Sequence, residues 1–150
     1  MFLSKWSKAA AVGACVAGAL ALGVNPASAQ PNWAAWVPGV DYKCGTTVTH
    51  PASVNIAMQT CIFRNPSNDT FQPVTVVVNN APTTVYLEAY PWNLSNSYSS
   101  HCIKTPVAAG KRVACYGATG PVAPEDRPIR MNSQVLLNEN HGGWTTTVTW

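Results

Sequence analysis

No stretch beyond residue 29 carries the three-to-four-residue apolar spacing of an amphipathic helix, which excludes a helical bundle at the outset. Catalytic signatures are missing as well. There is no G-x-S-x-G turn to expose a nucleophilic serine, no H-E-x-x-H to hold zinc, and no glycine-rich phosphate loop. Basic runs are short, the longest in residues 30–150 being Lys111-Arg112, which gives a nucleic-acid or anionic membrane surface no footing. One acidic pair is adjacent, Glu125-Asp126. Sharing one loop, those two would not flank a glycosidic bond as hydrolase carboxylates must. No C-x-x-C pair accompanies His50 and His101, so a zinc site has no recognisable spacing. A triad of His101, Ser97 and Asp69 can be drawn only from residues of the kind small exported domains carry on their surfaces. Internal repeats and a domain-dividing linker are absent too. The expectation is a non-enzymatic binding protein with no metal or cofactor.

What is present begins with a segment to set aside. Lys5 and Lys8 precede an alanine-rich apolar run from Ala9 to Val24, then Pro26 and Ala27-Ser28-Ala29. A positive flank, a short apolar run and small residues before the cut predict a secretory signal removed after Ala29. Gly13, Gly18 and Gly23 break that run, and it is short for a retained span. Residues 30–150 suit one domain. Without Lys5 and Lys8 the net charge falls from +3 to +1.

Cys44, Cys61, Cys102 and Cys115 remain, an even set in an exported chain, and they read as two disulfides. Of the three pairings, the sequential one ties neighbouring strands, which favours Cys44 with Cys61 and Cys102 with Cys115. Each would contribute about 3 kcal/mol by loop-closure arithmetic.

The organising stretch is Val54 to Arg64. Val54, Ile56, Met58, Thr60 and Ile62 alternate with Asn55, Ala57, Gln59, Cys61 and Phe63, a period of two that predicts a half-buried strand. Thr46–Thr49, Thr70–Asn79, Thr83–Trp92, Ile129–Asn138 and Trp144–Trp150 read as further strands, and Ser100–Lys104 with Lys111–Tyr116 as a hairpin. Turn signals such as Asn65-Pro66-Ser67-Asn68-Asp69 separate them. The fold expected is all-β: an antiparallel immunoglobulin-like sandwich of seven or eight strands over residues 44–150, preceded by an extended N-terminal arm over 30–43.

Three places can bind. The arm carries Trp33, Trp36, Val37 and Pro38, and two indoles are too apolar to be left in water. They either fold back over an open end of their own domain or dock into a partner's groove, where aromatic anchors carry much of the energy. Gly117–Pro128 reads as a long loop displaying Glu125, Asp126 and Arg127, and long ordered loops are often functional. The outward face of the Thr83–Trp92 strand bears Tyr86, Glu88, Tyr90 and Trp92, which suits carbohydrate or protein as well as plain solvent.

The signal ending Ala27-Ser28-Ala29-Gln30, the small two-disulfide β domain and the valine- and threonine-rich strands resemble small exported proteins of streptomycetes. The layout is similar to that of the adaptor subunit of umbrella toxin particles, which links a lectin-bearing subunit to a large toxin polypeptide. This resemblance implies that Gln30–Val40, with Trp33 and Trp36 as anchors, enters a cleft of a degenerate protease-like partner while the folded remainder contacts the toxin stalk. The partners it implies are other secreted proteins. Streptomycete hydrolase inhibitors are the alternative, although neither the tendamistat-type Trp-Arg-Tyr triplet nor the subtilisin-inhibitor cysteine spacing is present. A small sugar-binding domain using Tyr86, Tyr90 and Trp92 is the third.

Overall fold

The computed structural model describes residues 32–95, 99–139 and 141–150. The expected signal segment, Gln30 and Ser97 lie outside the described residues. In chain order the strands are β1 (Asn32–Ala35), β2 (Tyr42–Cys44), β3 (Val48–His50), β4 (Ser53–Asn65), β5 (Thr70–Asn79), β6 (Val85–Asn93), β7 (Cys102–Val107), β8 (Arg112–Tyr116), β9 (Gly120–Pro121), β10 (Arg130–Leu137), β11 (His141–Trp144) and β12 (Val148–Thr149). One turn of 3-10 helix, Pro124–Asp126, interrupts the Gly117–Pro128 loop, as does β9.

All pairings are antiparallel. One sheet runs β1-β8-β5-β4-β2, with β3 also on β4 and β9 on β5; the other runs β11-β10-β6-β7, with β12 also on β10. The expected segment 44–150 therefore folds as two antiparallel sheets. The segment 30–43, expected as an arm, contributes β1 and part of β2 to the seven-stranded sheet.

The alternation of β4 holds through its middle. Ile56, Met58, Thr60 and Ile62 are buried between the sheets. Val54, expected on the same face, is 88 % exposed, because β4 is longer than β5 and its first residues project past Asn79, the last partner.

Two apolar clusters fill the space between the sheets. Ile56, Met58, Val77, Leu87, Val135 and Leu137 belong to one; Ile62, Phe71, Val122, Ile129, Met131 and Val148 form the other. Between them lies a buried layer of hydroxyls from Thr60, Thr75, Ser133 and Thr145. Each hydroxyl finds its partner in another, so burial costs little.

Cys44 pairs with Cys61 and Cys102 with Cys115, as expected, so these thiols are not available to zinc. Cys44 and Cys61 face each other across β2 and β4. The second bridge differs from expectation. The hairpin predicted for Ser100–Lys104 with Lys111–Tyr116 does not form: β7 pairs with β6 and β8 with β5, so the chain changes sheets between them and Cys102–Cys115 ties sheet to sheet. Cys102 and Val107 of β7 bury toward the core beside Val85 and Leu87, and that packing takes β7 to the other layer.

The closing strand is also split. β11 and β12 both pair with β10, Gln134 opposite Trp144 and Met131 opposite Val148, a register one residue apart. The slip turns the Thr145 hydroxyl inward, where the Ser133 N–H donates to it at 2.8 Å. Trp144 is left outward.

Candidate docking surface

β1 and β2 lie at opposite margins of the seven-stranded sheet, so the segment between them, residues 36–41, crosses the sheet's outer face as a strap. Four aromatic rings hold it. Trp36 meets Phe63 at 5.6 Å and Tyr42 at 6.0 Å between ring centroids, and Phe63 meets Tyr42 at 5.8 Å and Tyr116 at 6.0 Å. Edge and tilted contacts of this kind add to the area they bury. The Val37 N–H donates to the Tyr116 hydroxyl at 3.0 Å. Gly39 rests on the Phe63 ring, where a Cβ would come within 3.1 Å.

With its aromatics turned down, the strap turns its aliphatics up. Val37 is 62 % exposed, and Val40 is as open as a residue in an extended peptide, at 108 %. Tyr42, partly open, continues the ridge.

The strap's far end joins a polar node. The Arg64 N–H donates to the Asp41 carbonyl at 2.9 Å. Its guanidinium donates to Asp69 Oδ1 at 2.9 Å and lies 6.0 Å from the Trp150 ring centroid. Arg127 donates to both oxygens of Asp69. Hydrogen bonds from Arg64 first, and then Arg127, hold the Asp69 carboxyl below its usual range. A hollow of about 400 Å³ lies here, lined by Arg64, Val122, Arg127, Pro128, Ile129 and Trp150.

The expected contact residues therefore divide. Trp36, Val37 and Pro38 lie in the strap, and Arg127 connects to its end through Asp69, Arg64 and Asp41. Trp33 is turned the other way: its ring packs against the larger core cluster and its indole N–H donates to the Ile103 carbonyl of β7 at 3.0 Å. Thus β1 is pinned to both sheets. Glu125 and Asp126 sit on the 3-10 turn beside Arg127. Sequence reasoning had Val40 only as the end of the Gln30–Val40 stretch, and missed Phe63, Arg64 and Asp69 as parts of this surface. Phe63 did carry a signal, being the one aromatic on the largely polar face of its strand.

Asp69 and His101, two members of the conceivable triad, serve elsewhere. Asp69 is held by the two arginines, and His101 Nε2–H donates to Glu88 at 2.6 Å. The outward face of β6 forms as expected, with Tyr86 and Trp92 exposed and Glu88 and Tyr90 half-buried. No protein-family model matches the chain, and no curated protein or solved structure is similar to it.

Proposed function

We propose that the chain is an exported, non-enzymatic protein-interaction module on an immunoglobulin-like sandwich, serving as an adaptor between subunits of an extracellular bacterial toxin assembly. The observation that carries this reading is the aliphatic ridge of Val37 and Val40. A chain does not leave two valines in water on a braced segment without cost, and covering them in a complex recovers it. The ring cluster beneath keeps the ridge ordered before binding, which lowers the entropy lost on docking. Arg64, Asp69 and Arg127 supply a charged rim beside the apolar centre. Export is supported by the two disulfides, and no helix among the described residues is long and apolar enough to cross a membrane.

A hydrolase inhibitor is the second reading. The Arg127–Asp69 ion pair braces the loop displaying Glu125 and Asp126, and braced loops suit active-site clefts.

Capture from the native culture supernatant tests the reading, comparing the wild-type chain with Val37→Asp and Val40→Asp. Recovery of a large exported polypeptide and a lectin-bearing subunit by the wild type, and their loss with both variants, is the expected result. Equal recovery by variants and wild type would sink the ridge as a docking surface. A single captured hydrolase that the wild type inhibits would put the inhibitor reading in its place.

A further inference from the structure

The outer face of the five-stranded sheet differs in kind from the strap. Its central strands β6 and β10 turn outward Tyr86, Glu88, Tyr90 and Trp92, and Arg130, Asn132, Gln134 and Leu136. Trp144 stands opposite Gln134, and Gln134 opposite Tyr90; Trp92 stands opposite Asn132. Two neutral amides on β10 are thus flanked by a tryptophan on each neighbouring strand. Those strands lie about 10 Å apart, two inter-strand spacings.

Three features suit this face to sugars. Trp92 and Trp144 are 41 % and 50 % exposed, whereas Trp33, Trp36 and Trp150 are half-buried against named partners. The ground between is flat: the Gln134 amide lies on Gly142, with Nε2 within 3.1 Å of where a Cβ would stand. Formal charge cancels, Lys104 and Arg130 against Glu88 and Glu139, with Lys104 paired to Glu139. Such a face does not attract a polyanion.

The polar groups are also fixed in advance. Tyr90 and His101 stack at 4.4 Å, and both donate to Glu88 Oε1. No described residue bonds Oε2. Asn132 is half-buried beside Trp92, and its Oδ1, turned from solvent, bonds no described residue.

We propose that this face binds a neutral glycan, with Trp92 and Trp144 stacking on the C–H faces of sugar rings and Asn132, Gln134 and Glu88 bonding hydroxyls. A few placed polar groups among aromatic surface is the general composition of a small-ligand site. The inference stands apart from the adaptor reading, because it uses the opposite sheet.

Affinity electrophoresis of the oxidised full chain tests it, in gels containing xylan, glucomannan or glycol chitin, with heparin as the anionic control. At least one neutral polymer should retard the wild type. Trp92→Ala and Trp144→Ala should each weaken that retardation about tenfold, as truncation of an anchor does, while Trp144→Phe retains most of it. Val40→Asp, on the other sheet, should leave it unchanged, so failure here and failure of the adaptor reading are told apart. Unchanged melting temperatures would confirm that the exposed tryptophans are not needed for folding. No retardation by any neutral polymer overturns the proposal. So does equal retardation of the tryptophan variants, or salt-sensitive retardation by heparin alone.

Discussion

Thr60 Oγ1 lies 2.6 Å from Ser133 Oγ, a hydrogen bond from one sheet to the other through the middle of the core. Thr145 Oγ1 also lies 2.6 Å from Thr60, and Thr75 donates to Ser133 at 2.7 Å. Thr60→Val keeps the shape but strips the hub, leaving Ser133 and Thr145 each short of a partner. The expected loss is about 1 to 3 kcal/mol, read as a lower urea midpoint with unchanged slope. An unchanged midpoint would show that the hydroxyl layer contributes no net stability.

The Cys102–Cys115 bridge closes a 13-residue separation, and chain entropy alone predicts that Cys102→Ser with Cys115→Ser costs about 3 kcal/mol. The cross-sheet placement adds a qualitative expectation. The Cys44–Cys61 pair joins strands already hydrogen-bonded as neighbours, whereas no ladder joins the two sheets at Cys102. Losing the inter-sheet bridge should therefore raise hydrogen exchange in β7 more than losing the other bridge does.

Much of this was legible in the chain. The period-two pattern of Val54–Arg64 gives the buried face of β4 because side-chain alternation is a local property. Parity gives two disulfides, and the favoured sequential pairing matches both, but its reason, that it ties neighbouring strands, holds only for Cys44–Cys61. Which sheet a strand joins is not local, and that is why Lys104 and Arg112, close in sequence, fall in opposite layers. The ridge was half visible: Trp36, Val37 and Pro38 announce a segment of consequence, but Arg64 and Asp69 enter only through the folding of β4 and β5 beside it. Trp144 read as one residue of a continuous strand, and the slip at Thr145 that turns it outward depends on hydroxyls far away in sequence.

Acid should weaken the fold through two carboxyls. Glu88 is held low by the Tyr90 hydroxyl first and then His101, and Asp69 by Arg64 and Arg127. A carboxyl with a lowered folded value stabilises fully above its unfolded value, about pH 4, and that contribution disappears as pH falls through the folded value. Glu88→Gln should therefore melt lower than wild type at about pH 6, and the gap should close toward about pH 2. A gap that persists at the acid end would assign the loss to packing instead of charge.

Gly142 and Gly143 are adjacent yet should respond unequally to alanine. A Cβ on Gly143 would stand 2.6 Å from Pro51 Cδ and 2.8 Å from His50 Cδ2 and Met58 Cε. The imidazole there is fixed, its Nε2–H donating to Val135 and its Nδ1 accepting from Ala52. Gly143→Ala should cost about 1 to 3 kcal/mol by overpacking. Gly142→Ala meets the mobile end of Gln134 at 3.1 Å and Leu136 Cδ2 at an ordinary contact distance of 3.5 Å, and its melting temperature should stay near wild type.

The strap also governs how the molecule behaves in a crowd of its own copies. Its two ends occupy both margins of a valine-rich sheet, β1 covering β8 and β2 covering part of β4. Short, irregular margins are poor templates for further strands, whereas long bare ones invite edge-to-edge growth. A chain beginning after Cys44 would present β8 uncovered along its length, with Val74, Val76 and Val77 in the strand behind it. The segment that offers a ridge to a foreign partner is thus the same one that denies the sheet to its own kind.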